Sequence, residues 1–286
     1  MFRGDMCIQA RTTSSLAALA VPVALLAVTI ASCEEISYTP YDNEVPDEYR
    51  HLTARNLDRI ANATRGRDEV RFAVVGDPQR ELGPSGDFVD EINARDDVDF
   101  VVVAGDLTEY GVRREYQHVV EVYSRLDVPW LTVIGNHDKL GKGEALYGVV
   151  FGEFNYTLDV AGVRLVFFDS VGLHTEDGPV NFAWLAHQLR PESGDFAQAV
   201  VITHVPTASR WLAPSRETQE REEKRFTDIV TESGTVSLTI HGHWHRYEEN
   251  ALSDDVLSIV VDNPGDRNFL HVTLRGDAFE TEQVFF

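Results

Sequence analysis

Asp77 and Gln79 follow the apolar run of FAVVGDPQR, Asp106 follows that of VVVAGDLTEYG, and Asn136, His137 and Asp138 close LTVIGNHDK. Further along, His204 ends AVVITHVP, and His243 and His245 end SLTIHGHWHR. Carboxylate, amide and imidazole donors suit divalent metals, and oxygen donors such as Gln79 favour manganese or magnesium. Taken alone, Asp77 or Asp106 is a turn residue or helix cap, and Asn136 a turn residue. A lone His-x-His match is also weak. Here, however, every donor stands where an apolar run stops, which is where sheet proteins assemble their sites. Side chains two apart on an extended chain share a face, so Asp77 with Gln79, and His243 with His245, are expected to converge as pairs. The chemistry expected of the set is metal binding.

Strands must deliver these donors. VRFAVVGD, VDFVVVAGD and PWLTVIGNHD are continuous apolar runs, separated by the helical spacings of SGDFVDEINARD and VRREYQHVVEVYSRL. That alternation predicts βαβ units and a buried, largely parallel sheet. NYTLDV and VRLVFFDS, joined by Ala161-Gly162, read as a hairpin. FAWLAHQL and REEKRFTDIV read as helices, while AVVITHV, TVSLTIHGHWH, VLSIVVDN, NFLHVTLRG and AFETEQVFF read as strands. The fold class expected is α/β: a two-layer mixed β-sandwich, one sheet mostly parallel, flanked by helices. Segments 139–153, 170–181 and 205–220 read as loops that set specificity.

The formal net charge is −22 over 286 residues. Such a surface repels phosphate backbones and excludes generic nucleic-acid binding. An anionic substrate would need a local positive centre, which bound metal supplies. At the N-terminus, the apolar run SLAALAVPVALLAVTIA ends at IASCEE. A basic start, an apolar stretch and small residues at the cut form a secretory signal over 1–32. The IASC stretch resembles a bacterial lipobox, which implies cleavage before Cys33, a lipid on its thiol and a domain held on the outer side of a membrane in the bacterial cell envelope. Residues 33–46 read as a tether, and 47–286 as a single domain opening on a helix at about 47–63. Cys7 and Cys33 are the only cysteines, so the mature fold has no disulfide.

The ordered set Asp-x-Gln, Gly-Asp, Gly-Asn-His-Asp, His, Gly-His-x-His resembles the calcineurin-like metallophosphoesterases over about residues 70–275. The resemblance implies two divalent ions: manganese first, with magnesium, iron or zinc as alternatives. Asp77, Gln79, Asp106 and His245 would hold one ion. Asp106, Asn136, His204 and His243 would hold the other, with Asp106 bridging. His137 is placed to contact the phosphoryl group or protonate the leaving oxygen, and Glu109 to orient His137. Asp138 and His241 stand beside the ligands as supports. Gln79 departs from the histidine that most of the family has there. The function implied is hydrolysis of phosphate ester or anhydride bonds in a small phosphorylated substrate. The alternative is an inactive, metal-binding lipoprotein that acts as a ligand-binding or scaffold protein.

Overall fold

Continuous apolar runs become buried strands because only a sheet covered on both faces removes every second side chain and its neighbour from water together. The computed structural model describes residues 44–173, 180–207 and 216–286; the expected signal, Cys33 and most of the tether lie outside them. The strands are β1 (Val70–Val75), β2 (Phe100–Val103), β3 (Trp130–Thr132), β4 (Tyr156–Val160), β5 (Val163–Phe167), β6 (Gln198–Ile202), β7 (Val236–His241), β8 (Glu248–Ala251), β9 (Leu257–Val260), β10 (Asn268–Arg275) and β11 (Ala278–Phe285). The first sheet has the order β11-β10-β1-β2-β3 and the second β4-β5-β6-β7-β9-β8. In the first, β1, β2 and β3 run parallel, and β10 and β11 are added antiparallel. In the second, β5, β6, β7 and β9 run parallel between antiparallel β4 and β8. Both sheets are therefore mixed with a parallel centre, where the sequence led us to expect one mostly parallel sheet.

The sheets face each other across a core that includes Phe72, Val74, Phe100 and Val102 on one side and Leu165, Phe167, Ile202 and Ile240 on the other. Phe72 and Phe100 stack with centroids 4.9 Å apart, both fully buried. Each such side chain contributes about 1.5–3 kcal/mol through the water it sheds. Helices α1 (Leu52–Ala63), α2 (Leu82–Asn93), α3 (Arg113–Tyr123), α4 (Gly143–Val150), α5 (Phe182–Gln188) and α6 (Arg216–Glu232) complete the layers. Phe88 of α2, Tyr116 of α3 and Tyr147 of α4 belong to the core on the outer face of β1 and β2, with Val75 and Val103. Phe182 and Leu185 of α5 and Phe226 of α6 cover the outer face of β5 and β6 through Val166 and Val201.

Several boundaries move. The leading helix begins at Leu52, after a short 3-10 turn at Asp47–Tyr49, because His51 takes a left-handed conformation at the helix start. The tether's end is packed: Val45 is buried, and its carbonyl accepts from Arg50 Nε at 2.9 Å. Part of the 139–153 segment is α4, whose Leu146, Tyr147 and Val150 are buried. Strand β8, short and polar, carries no apolar period and was not expected. The hairpin stands as expected, with Ala161 (φ 49°) and Gly162 (φ 73°) both left-handed, as a two-residue turn between twisted strands requires.

Candidate metal centre

The carboxyl ends of β1, β2, β3, β6 and β7 bring the donors together. The lacing continues past the strands, since Asp77 N donates to Gly105 O and Gln79 N to Asp106 O, both at 3.2 Å. The chain then turns sharply. Asp77 (φ 49°), Asp106 (φ 48°), His243 (φ 76°) and His245 (φ 49°) are all left-handed. A non-glycine residue there costs roughly 1–2 kcal/mol, which concentrates strain at functional sites. The alternation expected from an extended segment is thus not what gathers the paired donors. Strand β7 stops at His241, and the left-handed turns aim His243 and His245 at different partners.

Two donor groups result. Asp106, His204 and His243 offer ligand atoms within 4.8 Å of one another, and so do Asp77, Asp106 and His245, with Asp106 common to both. Around His204 Nε2 lie Asn136 Oδ1 at 3.0 Å, Asp106 Oδ2 at 3.3 Å and His243 Nδ1 at 3.3 Å. His204 Nδ1 donates to the Ala104 carbonyl at 2.8 Å, so a neutral ring turns the lone pair of Nε2 toward that gathering of acceptors. Gln79 joins through its nitrogen, with Nε2 donating to Asp106 Oδ2 at 2.8 Å. The expected ligand is its oxygen, and a half-turn of the amide exchanges the two.

The charges call for a cation. Asp77 and Asp106 are buried, and their ion-pair partners among the described residues are His245 (3.5 Å) and His204 (3.3 Å), with no Lys or Arg. Burial, and then Asp106, push the Asp77 carboxyl well above its ordinary range, against the pull of His204. Asp106 is held below its ordinary value by His204 and His137 despite burial. Burial lowers the His204 imidazole, but Asp106 and Asp77 outweigh it and bring the ring up to about 9. Two buried carboxylates whose only ion-pair partners among the described residues are histidines, ringed by neutral O and N donors, fit divalent metal ions in place of a histidine proton.

The supports differ from expectation in their atoms. His137 Nδ1 donates to the backbone carbonyl of Glu109 at 2.9 Å, while the Glu109 carboxylate is bound by Arg80. Asp138 is fully buried and accepts from the backbone N–H groups of Leu107, Thr108 and Gly135, clamping the β2 loop to the β3 loop. Burial and then Asp106 bring its carboxyl up to about 7. His241 is held between the hydroxyls of Thr203 (2.6 Å) and Thr239 (2.9 Å), with no hydrogen bond to a ligand side chain among the described residues. Arg80, Trp244 and Arg246 escaped the sequence analysis. Arg80 directly follows Gln79, but its partner Glu109 lies 29 positions away, and no local pattern carries that pairing. Asp262 also ends an apolar strand, yet its carboxylate accepts from Asn263 N and Asn268 Nδ2, outside both donor groups.

Gly105 shows how tightly the ligands are set. Its φ is +86°, and a Cβ there would stand 2.6 Å from His204 Nδ1. Gly105→Ala is expected to lose about 1–2 kcal/mol from the backbone alone and to displace His204. The checks are thermal unfolding of the metal-free protein and its metal content after reconstitution; wild-type values in both would contradict the packing described.

Relatives agree with this architecture. Purple acid phosphatase 17 of Arabidopsis thaliana is 23% identical over 254 residues, covering 74% of this chain and 72% of that protein. The glycerophosphodiester phosphodiesterase GpdQ of Enterobacter lignolyticus is 35% identical over 135 residues, covering 43% of this chain and 48% of its own, about half its length. A dimetal phosphatase from Danio rerio shares the fold, with a TM-score of 0.55 and 13% identity over 76% of this chain and 99% of that one. Residues 70–247, from β1 to just past the last donor His245, match the model of the calcineurin-like phosphoesterases, and this chain belongs to that family.

Proposed function

We propose that the chain hydrolyses phosphate ester or anhydride bonds with two divalent ions, manganese first, with magnesium, iron or zinc as alternatives. The observation that carries this is the pair of donor groups sharing buried Asp106, which has no Lys or Arg partner among the described residues. Asp77, Gln79, Asp106 and His245 would hold one ion, and Asp106, Asn136, His204 and His243 the other. Bound there, the ions supply Lewis-acid charge for the phosphoryl oxygens and lower the pKa of a water.

The chain's own residues complete the chemistry. The Ala104 carbonyl fixes the tautomer of His204. The Glu109 carbonyl does the same for His137, whose Nε2 is left without a hydrogen-bond partner among the described residues and borders the open groove. Hydrolysis joins a water oxygen to phosphorus and breaks the bond to the leaving oxygen. In its doubly protonated form, with Nδ1–H kept on the Glu109 carbonyl, His137 is placed to give that oxygen the proton on Nε2 and to recover one from solvent. Arg80 holds the Glu109 loop from outside.

The test is to strip the protein with a chelator and assay phosphate mono- and diesters with each metal restored. Turnover returning with manganese is expected. Metal uptake without turnover under any of these metals would contradict hydrolysis and favour a metal-binding scaffold.

We also place the domain in the bacterial envelope, anchored through Cys33; the support is the 15–31 apolar run and IASC at its end. Among the described residues no helix is long and apolar enough to cross a membrane. Cys33→Ser is expected to abolish lipid labelling and release the protein from the membrane fraction. Wild-type protein recovered unlipidated, with an N-terminus other than Cys33, would contradict the anchor.

A further inference from the structure

The donor cluster opens into a groove of about 920 Å³ that runs from His137 and His243 past Trp244 and Arg246 to Asn250 and Ser258. That volume exceeds the needs of a phosphoryl group and lies in the range of sites that hold whole small molecules. Its side chains are arranged. Arg246 Nη2 lies 2.7 Å from the Glu248 carboxylate, and Glu248 Oε1 accepts from Asn250 Nδ2 at 2.8 Å. The Arg246 guanidinium carbon sits 4.9 Å from the centroid of the Trp244 ring. The ion pair therefore pins one flat group on another directly beside the ligands His243 and His245.

This geometry discriminates among leaving groups. Arg246 is the one Lys or Arg among the described residues lining the groove, and Glu248 already neutralises it. A second phosphate on the substrate would have to displace that carboxylate. A planar heteroaromatic ring needs no such exchange, because guanidinium and indole planes bind it by stacking. The amide of Asn250 and the hydroxyl of Ser258 offer hydrogen bonds to its edge. We propose that the groove takes the alcohol portion of the substrate, and that this portion carries a heteroaromatic base: the substrate class is a nucleotide phosphoester. The proposal rests on the phosphoesterase function argued above.

The experiment compares metal-loaded wild type, Arg246→Ala, Arg246→Lys and Asn250→Ala on matched esters with and without a base. The monoesters are AMP and glycerol 2-phosphate; the diesters are adenylyl-(3′,5′)-adenosine and glycerophosphoethanolamine. Wild type is expected to favour the base-bearing member of whichever pair it hydrolyses. Arg246→Ala should lower kcat/KM for that member about tenfold, chiefly through KM, as the loss of one stacking partner does. Its activity on the glycerol ester should stay within about twofold. Arg246→Lys keeps the charge and loses the plane, so it should not rescue. Equal loss on both members, no loss on either, rescue by lysine, or a wild-type preference for the glycerol ester would overturn the nucleotide assignment while the phosphoesterase function stands. Absence of turnover on all four esters with every metal would overturn both.

Discussion

Asp106→Asn should empty both metal positions at once and abolish turnover, yet leave the metal-free chain folded, somewhat less stable than wild type. Asp106 is the residue common to the two donor groups, so no single-ion loss is available to it. The asparagine keeps the shape: Oδ1 can still accept from His137 N, as it does at 2.9 Å in the carboxylate, and the amide nitrogen would face the lone pair of His204 Nε2. What disappears is the charge that pairs with His204 at 3.3 Å and that His204 and His137 hold below its ordinary value despite burial, so its loss removes a stabilising buried pair. The loss in kcat/KM should exceed the roughly 10²–10³-fold of one removed electrostatic donor. Elemental analysis, kinetics and the melting temperature of the stripped protein check this together. A variant that retains either ion would contradict the bridging role, and a stripped variant that melts above the stripped wild type would contradict the pairing of Asp106 with His204.

His137→Ala should show the opposite pattern, with chemistry lost and metal kept. His137 lies outside both donor groups, and its Nδ1 is spent on the Glu109 carbonyl. Removing a positioned general acid costs roughly 10²–10⁴-fold in kcat. The deficit should shrink for a substrate whose leaving group departs without a proton, because the missing function is then not needed. Metal content should stay at the wild-type value. Loss of metal in this variant would make His137 a ligand, and an equal deficit on good and poor leaving groups would remove its acid role.

The features legible in the sequence share a cause. The runs FAVVGD and FVVVAGD are buried on both faces, so their composition announces β1 and β2 and marks where each stops. The donors were found because a carboxylate or imidazole at such a stop is an exception within an apolar pattern. What failed to show lacks a local signature. His243 N reaches Asp77 across 166 positions, and the left-handed turns that aim His243 and His245 follow from tertiary lacing, not from any two-residue period. The switch from Glu109 carboxylate to Glu109 carbonyl depends on where Arg80 lands. Strand β8 is set by its pairing with β9, and its polar side chains face the groove and solvent, so hydropathy could not announce it. Helix α4 is short and sits between glycine-containing turns, which made an ordered element look like a loop.

Calorimetric titration of the stripped wild-type protein with manganese tests the central claim most directly, because a shared carboxylate between two donor groups is first of all a statement about stoichiometry. Two equivalents per chain are expected, with phosphoesterase activity rising as the second is taken up and neither equivalent bound by Asp106→Asn. Binding of a single equivalent, or of two that survive the loss of Asp106, would contradict a dinuclear centre built on that residue.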